Sequence, residues 1–134
     1  MPGENAEVIR QLYEQWSRGD FSNREPFADD LDFELAGWVL FEPEPIRARG
    51  VDGMAEVWRE VLGGWEAFRT GPVDKLFEDG DTVVVLNRLV GRGRQSGIEV
   101  DAYRGAVFTF RAGKISRVYL TDAEEALATI GRSL

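Results

Sequence analysis

The sequence predicts an α+β fold: a curved antiparallel sheet wrapped around helices, forming a cone with an internal pocket. Apolar residues recur at helical spacing in the first half, at Val8, Ile9, Leu12, Tyr13 and Trp16 and again at Met54, Val57, Trp58, Val61 and Leu62. The second half holds long strand-like runs separated by turn signals at Asp79-Gly80 and Arg111 to Gly113. Helices followed by a meander of strands place the helices on one face of the sheet. Strong curvature of that sheet then leaves a cone-shaped cavity.

The first helix ends at Gly19. Ser22 and Glu25 have capping-box spacing and predict a short second helix ending near Phe27. Leu31 to Ala36 alternates, with Leu31, Phe33 and Leu35 on one face and Asp32 and Glu34 on the other. Gly37 to Gly50, with Pro43 and Pro45, reads as a loop. Asp52 is read as the cap of the next helix, which Gly63-Gly64 ends. Phe68 to Phe77 is a strand interrupted by Gly71-Pro72, and Asp79-Gly80 turns it into Thr82 to Gly91. Ile98 to Phe110 and Lys114 to Leu120 complete the sheet. A last short helix, opened by Thr121 and Asp122, points Leu127 and Ile130 inward.

A length of 134 residues suits one domain, residues 1–134. The net charge of −8 argues against nucleic acid and anionic membranes as partners. The chain has no cysteine and no histidine. That excludes disulfides, Ser-His and Cys-His relays, histidine bases and imidazole metal sites. No cofactor and no metal is expected. The opening MPGENAEVIR is not a signal peptide, and no apolar run has membrane-spanning length, so the expected location is the cytoplasm.

The run from Leu86 to Ala123 carries Arg88, Arg104 and Arg117 among Val, Leu, Phe and Ala. A guanidinium is rarely buried without a partner or a task. Two placements are open: lining the cavity as forked donors to a ligand oxygen, or lying on the outer face paired with Asp32, Glu34, Glu99 or Asp101. On the long strand, Asp101 shares parity with Tyr103 and Gly105, opposite to Ala102, Arg104, Ala106, Phe108 and Phe110. Trp16 and Trp58 lie on inner helix faces, and Trp38, with Leu40 and Phe41, sits in the loop where a lid would be.

The helix ending in Arg18-Gly19-Asp20, the phrase PFADDLDFEL (Pro26 to Leu35), GRGRQSG (Gly91 to Gly97) and AGKISRVYLTDAEEAL (Ala112 to Leu127) together resemble the SnoaL-like branch of the nuclear transport factor 2-like superfamily. The resemblance implies an α+β cone, a homodimer and a deep apolar pocket. It also implies positions for chemistry. The steroid-isomerase base falls at Leu35, its oxyanion-hole tyrosine at Leu12 beside Tyr13, and its oxyanion-hole acid near Ala106. The arginine of limonene-type epoxide hydrolases falls at Arg88, its acid partner at Val90 and the second acid at about Tyr119. The familiar acids are therefore replaced by apolar residues or tyrosine.

On this basis Arg88 is expected to orient a substrate oxygen, Tyr119 to donate to it, and Asp101 to serve as the remaining acid or base. The expected pocket lining is Trp16, Phe33, Leu35, Trp38, Trp58, Val90, Arg104, Ala106 and Arg117. The expected function is binding of a small, largely apolar molecule in the cone, with isomerase or cyclase chemistry by enolisation of a carbonyl. The alternative is a non-catalytic ligand-binding or dimerisation module.

Overall fold

A computed structural model of the chain describes residues 3–36 and 45–134. Helix α1 spans Glu4–Ser17 and buries Ile9, Leu12, Tyr13 and Trp16 along one stripe. It ends where Gly19, at φ +83°, turns left-handed and donates its N–H to the Trp16 carbonyl at 2.9 Å. The expected second helix is absent. Ser22 gives both its N–H and its hydroxyl to Asp20 Oδ1, at 3.0 and 2.5 Å, and Asn23 Oδ1 takes the Glu25 N–H at 3.1 Å. Side-chain acceptors this close to the backbone stabilise turns in place of a helix.

Strand β1 therefore begins early and spans Phe27–Leu35. Part of the expected loop is a strand, β2, at Ile46–Arg49, antiparallel to β1. Its arginines meet the outward acids of β1: Arg47 lies 3.2 Å from Glu34 and Arg49 4.0 Å from Asp32. Helix α2 follows directly at Gly50–Gly63 and buries Met54, Val57 and Trp58. Asp52 is not its cap. It lies in the first turn and accepts from Arg24 at 2.6 Å.

Strands β3 (Trp65–Thr70), β4 (Lys75–Asp79), β5 (Thr82–Gly93), β6 (Glu99–Arg111) and β7 (Lys114–Asp122) complete a sheet of seven strands, in the order β2-β1-β7-β6-β5-β3, with β4 also on β5. Pairing is antiparallel except that β1 runs parallel to β7. The break at Gly71 lets β5 change partners, β3 along its second half and β4 along its first. Only glycine fits there, because a β-carbon would lie 2.9 Å from the Arg88 carbonyl oxygen.

Alternate residues of β5 enter two different cores. Val83 and Val85 join Ile9, Leu12, Trp16, Trp58 and Phe108 inside the curled sheet. Val84 and Leu86 join Val107 and helix α3 (Ala123–Ala128) on the opposite face. So α3 is not on the inner face with the other helices. Leu127 and Ile130 pack outside, with Asp122 capping α3 by accepting the Glu125 N–H at 2.8 Å. No helix among the described residues is long and apolar enough to cross a membrane.

Candidate functional site

The inner cores of the two helices and the sheet do not close completely. A cavity of about 30 Å³ remains between Tyr13 and Trp16 of α1, Trp58 and Val61 of α2, Leu35 of β1 and Leu120 of β7. Its sheet wall is Phe68 and Thr70 of β3, Asn87 and Leu89 of β5, and Arg104, Gly105 and Ala106 of β6. Register explains the polar cluster in that wall. Asn87 is paired across strands with Arg104, so both project to the same face.

The polar groups fall into two kinds. Asn87 is anchored, its amide nitrogen donating to the Gly71 carbonyl at 3.0 Å. Arg104 is half-buried and donates from Nη2 to the Ala36 carbonyl at 2.6 Å, tying β6 to the end of β1. By contrast, Thr70 Oγ1 and Trp58 Nε1 are buried and have no hydrogen-bond partner among the described residues. Such atoms are uncommon in native proteins and cost about 1–3 kcal/mol each.

Burial also shapes the titrations. It pushes the Tyr13 hydroxyl well above the ordinary phenol range, so Tyr13 is a neutral donor. It lowers the proton affinity of Arg104, against the opposing pull of Asp122 and Tyr119. The guanidinium stays charged, since arginine does not deprotonate in proteins. No described lining residue is a carboxylate. Among the described residues no group of three or more Asp or Glu is placed to hold a metal ion. The cavity wall can therefore hold and polarise an oxygen, but it offers no carboxylate to abstract a proton.

Of the expected pocket residues, Trp16, Leu35, Trp58, Arg104 and Ala106 line the cavity. Phe33 is buried in the same core, its ring 6.2 Å from that of Trp58, without reaching the cavity wall. Trp38 lies outside the described residues.

The other expected residues belong to the outer face. Arg88 pairs with Asp101 at 3.0 Å, both largely in solvent, so neither the orienting arginine nor the fallback acid is at the cavity. Val90 is 37% exposed beside Asp101 in a surface groove. Arg117 lies over the Tyr119 ring at 5.1 Å, and Tyr119 packs against the α3 core. The reason is parity: even positions of β5 face outward, and β7 places Val118 and Leu120, not Tyr119, in the inner core.

Sequence reasoning missed Tyr13 as a lining group, along with Thr70 and Asn87. Asn87 had a signal. It is the one polar residue ending the apolar run Val83 to Leu86, where a buried amide requires a partner.

A model of the SnoaL-like domain matches residues 9–118. No protein in the curated set matches the chain. Among solved structures, a nuclear transport factor 2-like protein of unknown function from Burkholderia pseudomallei K96243 superposes with a TM-score of 0.77 at 20% identity, covering 97% of this chain and 99% of that one. TerC, co-crystallised with polyporic acid, gives 0.76 at 19% identity, with 95% and 97% covered. A protein described as a SnoaL-like polyketide cyclase, from Jannaschia sp. CCS1, gives 0.74 at 18% identity, with 94% and 90% covered. At these identities the likeness is one of fold.

Proposed function

Because the chain belongs to the SnoaL-like domain family, we propose that its cone binds a small, mostly apolar molecule carrying an acidic or carbonyl oxygen, and that this oxygen is held by Arg104. The carrying observation is the combination around one cavity of a half-buried arginine and two buried polar atoms without partners among the described residues, Thr70 Oγ1 and Trp58 Nε1, among aromatic side chains. Ligand sites are mostly apolar with a few convergent polar groups. A half-buried cation in a mostly apolar wall gains from an anionic or strongly polarised oxygen, beside the Ala36 carbonyl and the Asp122 charge it already meets. TerC, which shares the fold, was crystallised with an organic acid. An enolisation reaction needs a base, and the described lining has none, so binding is the reading the geometry supports best.

The test is direct. Titration of the protein with biphenylcarboxylate, followed by calorimetry and by quenching of tryptophan fluorescence, is expected to show saturable binding. Replacement of Arg104 by Met keeps the apolar stem and removes the charge. It is expected to weaken the acid by about tenfold or more, in line with the roughly 1.5–3 kcal/mol of a charge-assisted hydrogen bond. Equal affinity of the two proteins for the acid refutes the reading.

We infer further that a second copy of the chain docks on the outer face of β5 and β6. There the exposed Val90 lies between the oppositely charged pairs Arg88–Asp101 and Arg92–Glu99, and the exposed Tyr103 flanks the first pair. Alternating charge around an apolar centre is self-complementary under a two-fold axis. Sedimentation of the wild type as a dimer, and of a Tyr103→Glu variant as a monomer, is the expected outcome. A monomeric wild type at high concentration overturns it.

A further inference from the structure

The cavity is too small for the molecule just proposed. About 30 Å³ accommodates a water or two, whereas ligand sites occupy about 300–1,000 Å³. A much larger groove of about 460 Å³ lies immediately beside it, formed by Ile46, Val57, Val61, Trp65, Gly93 and Arg94 with a few neighbours. Val61 lines both. Two aromatic rings continue the same wall. Trp65 faces the groove and Phe68 the cavity, with their centroids 6.4 Å apart. Both rest on Gly91, where a β-carbon would come within 3.1 Å of the Trp65 ring and 3.3 Å of the Phe68 ring.

The far side of the groove is fixed. Arg94 donates to the carbonyls of Gly63 and Trp65, each at 3.2 Å, and its N–H to that of Gly64 at 3.0 Å. This ties the β5–β6 loop to the end of α2, where a cation also suits the helix dipole. The groove is thus a built wall rather than a gap between mobile elements. Val61, half-buried, borders both spaces.

We propose that Val61, backed by Trp65 and Phe68, partitions a single ligand chamber, and that it sets the length of the acid the cone accepts. This rests on the reading that the cone binds an apolar acid. The carboxylate end meets Arg104 in the cavity. The distal end passes Val61 and lies in the groove. Rotation of these side chains joins the two volumes into one of ordinary ligand size. Val61 is here a specificity-determining residue and takes no part in chemistry.

The test uses the full chain and an acid series of rising length: benzoate, biphenylcarboxylate and terphenylcarboxylate. Val61→Ala is expected to tighten the two longer acids by about tenfold, the scale of small steric changes in an apolar site, and to leave benzoate within about twofold. Val61→Ile, which retains packing and fills the passage, is expected to weaken the longer acids more than benzoate, in order of length. Thermal unfolding of both variants checks that each is folded. Equal changes for all three acids, or none, overturn the partition while leaving the binding reading intact. Absence of binding by any acid to any form overturns both.

Discussion

Arg88 and Asp101 face each other across β5 and β6 on the outer surface, Nε to Oδ1 at 3.0 Å and Nη2 to Oδ2 at 3.4 Å. The pair is diagonal, since Arg88 is registered with Tyr103 and Asp101 with Val90. Its side chains are 67% and 56% exposed, and ion pairs in water contribute only about 0–1 kcal/mol. A double-mutant cycle with Arg88→Ala and Asp101→Ala is expected to return a coupling in that range, shrinking as salt is added. Neither change should alter ligand affinity in the cone. A loss of binding on Arg88→Ala would restore Arg88 to the site.

Thr70 makes the opposite kind of prediction. Its hydroxyl is buried without a partner among the described residues, so Thr70→Val removes an unsatisfied group at nearly constant volume. The variant is expected to be as stable as the wild type or more stable, by up to about 1–2 kcal/mol in a denaturant titration. It should also bind biphenylcarboxylate more weakly. A stability gain accompanied by unchanged affinity would show the hydroxyl to be a packing defect with no role toward a ligand.

Gly105 lies directly beneath Ala126. A β-carbon there would collide with the Ala126 side chain and sit 3.0 Å from the Asp122 carbonyl oxygen. Gly105→Ala is therefore expected to push α3 off the sheet and to cost about 1–3 kcal/mol, seen as a lower melting temperature. Ala126→Gly in the same chain should recover part of the loss, less the roughly 1 kcal/mol that glycine costs in a helix. A failure of that rescue would locate the strain at the Asp122 backbone.

Tyr103 provides a pH signature on the outer face. Its hydroxyl donates to Asp74 Oδ2 at 2.6 Å, which pushes its titration up to about 12, the hydrogen bond to Asp74 contributing most. A raised phenol favours the protonated fold. Its stabilisation is complete below the ordinary value of 10.0 and is lost as pH rises through about 12. Asp74→Asn is expected to bring the Tyr103 midpoint down toward the ordinary value in a phenolate absorbance titration, and to flatten alkaline destabilisation across that window. An unmoved midpoint would show that Asp74 does not govern it.

Much of the fold was legible in the residues. The stripes of α1 and α2 follow from apolar spacing, and the hairpin at Asp79-Gly80 follows from its turn residues, with Gly80 at φ +59°. The interruption at Gly71-Pro72 is where the chain passes from β3 to β4, both paired with β5. What misled were residues whose local signals compete. Ser22 and Glu25 satisfy a capping pattern, yet Asp20 and Asn23 satisfy the same donors sooner. The stretch Ile46–Arg49 is only four residues long and close to two prolines, and its strand identity comes from pairing with β1, which seats Ile46 and Ala48 on the inner core and sets Arg47 and Arg49 opposite Glu34 and Asp32.

The sequence by itself determined that the chain forms an α+β cone and that histidine and cysteine chemistry is impossible. It also determined which residues of each strand share a face, because the period of two is a local property of extended backbone. Which face looks inward was decided only by the tertiary structure. Val83 to Leu86 is apolar on both sides, and the structure shows what covers each: α1 and α2 the inner face, α3 the outer. Register then separates residues that look equivalent in the chain: Arg104 opposite Asn87 in the cavity wall, Arg88 and Arg117 on the outside. Facing is a relation between strands and the helices that cover them, and no single strand carries it.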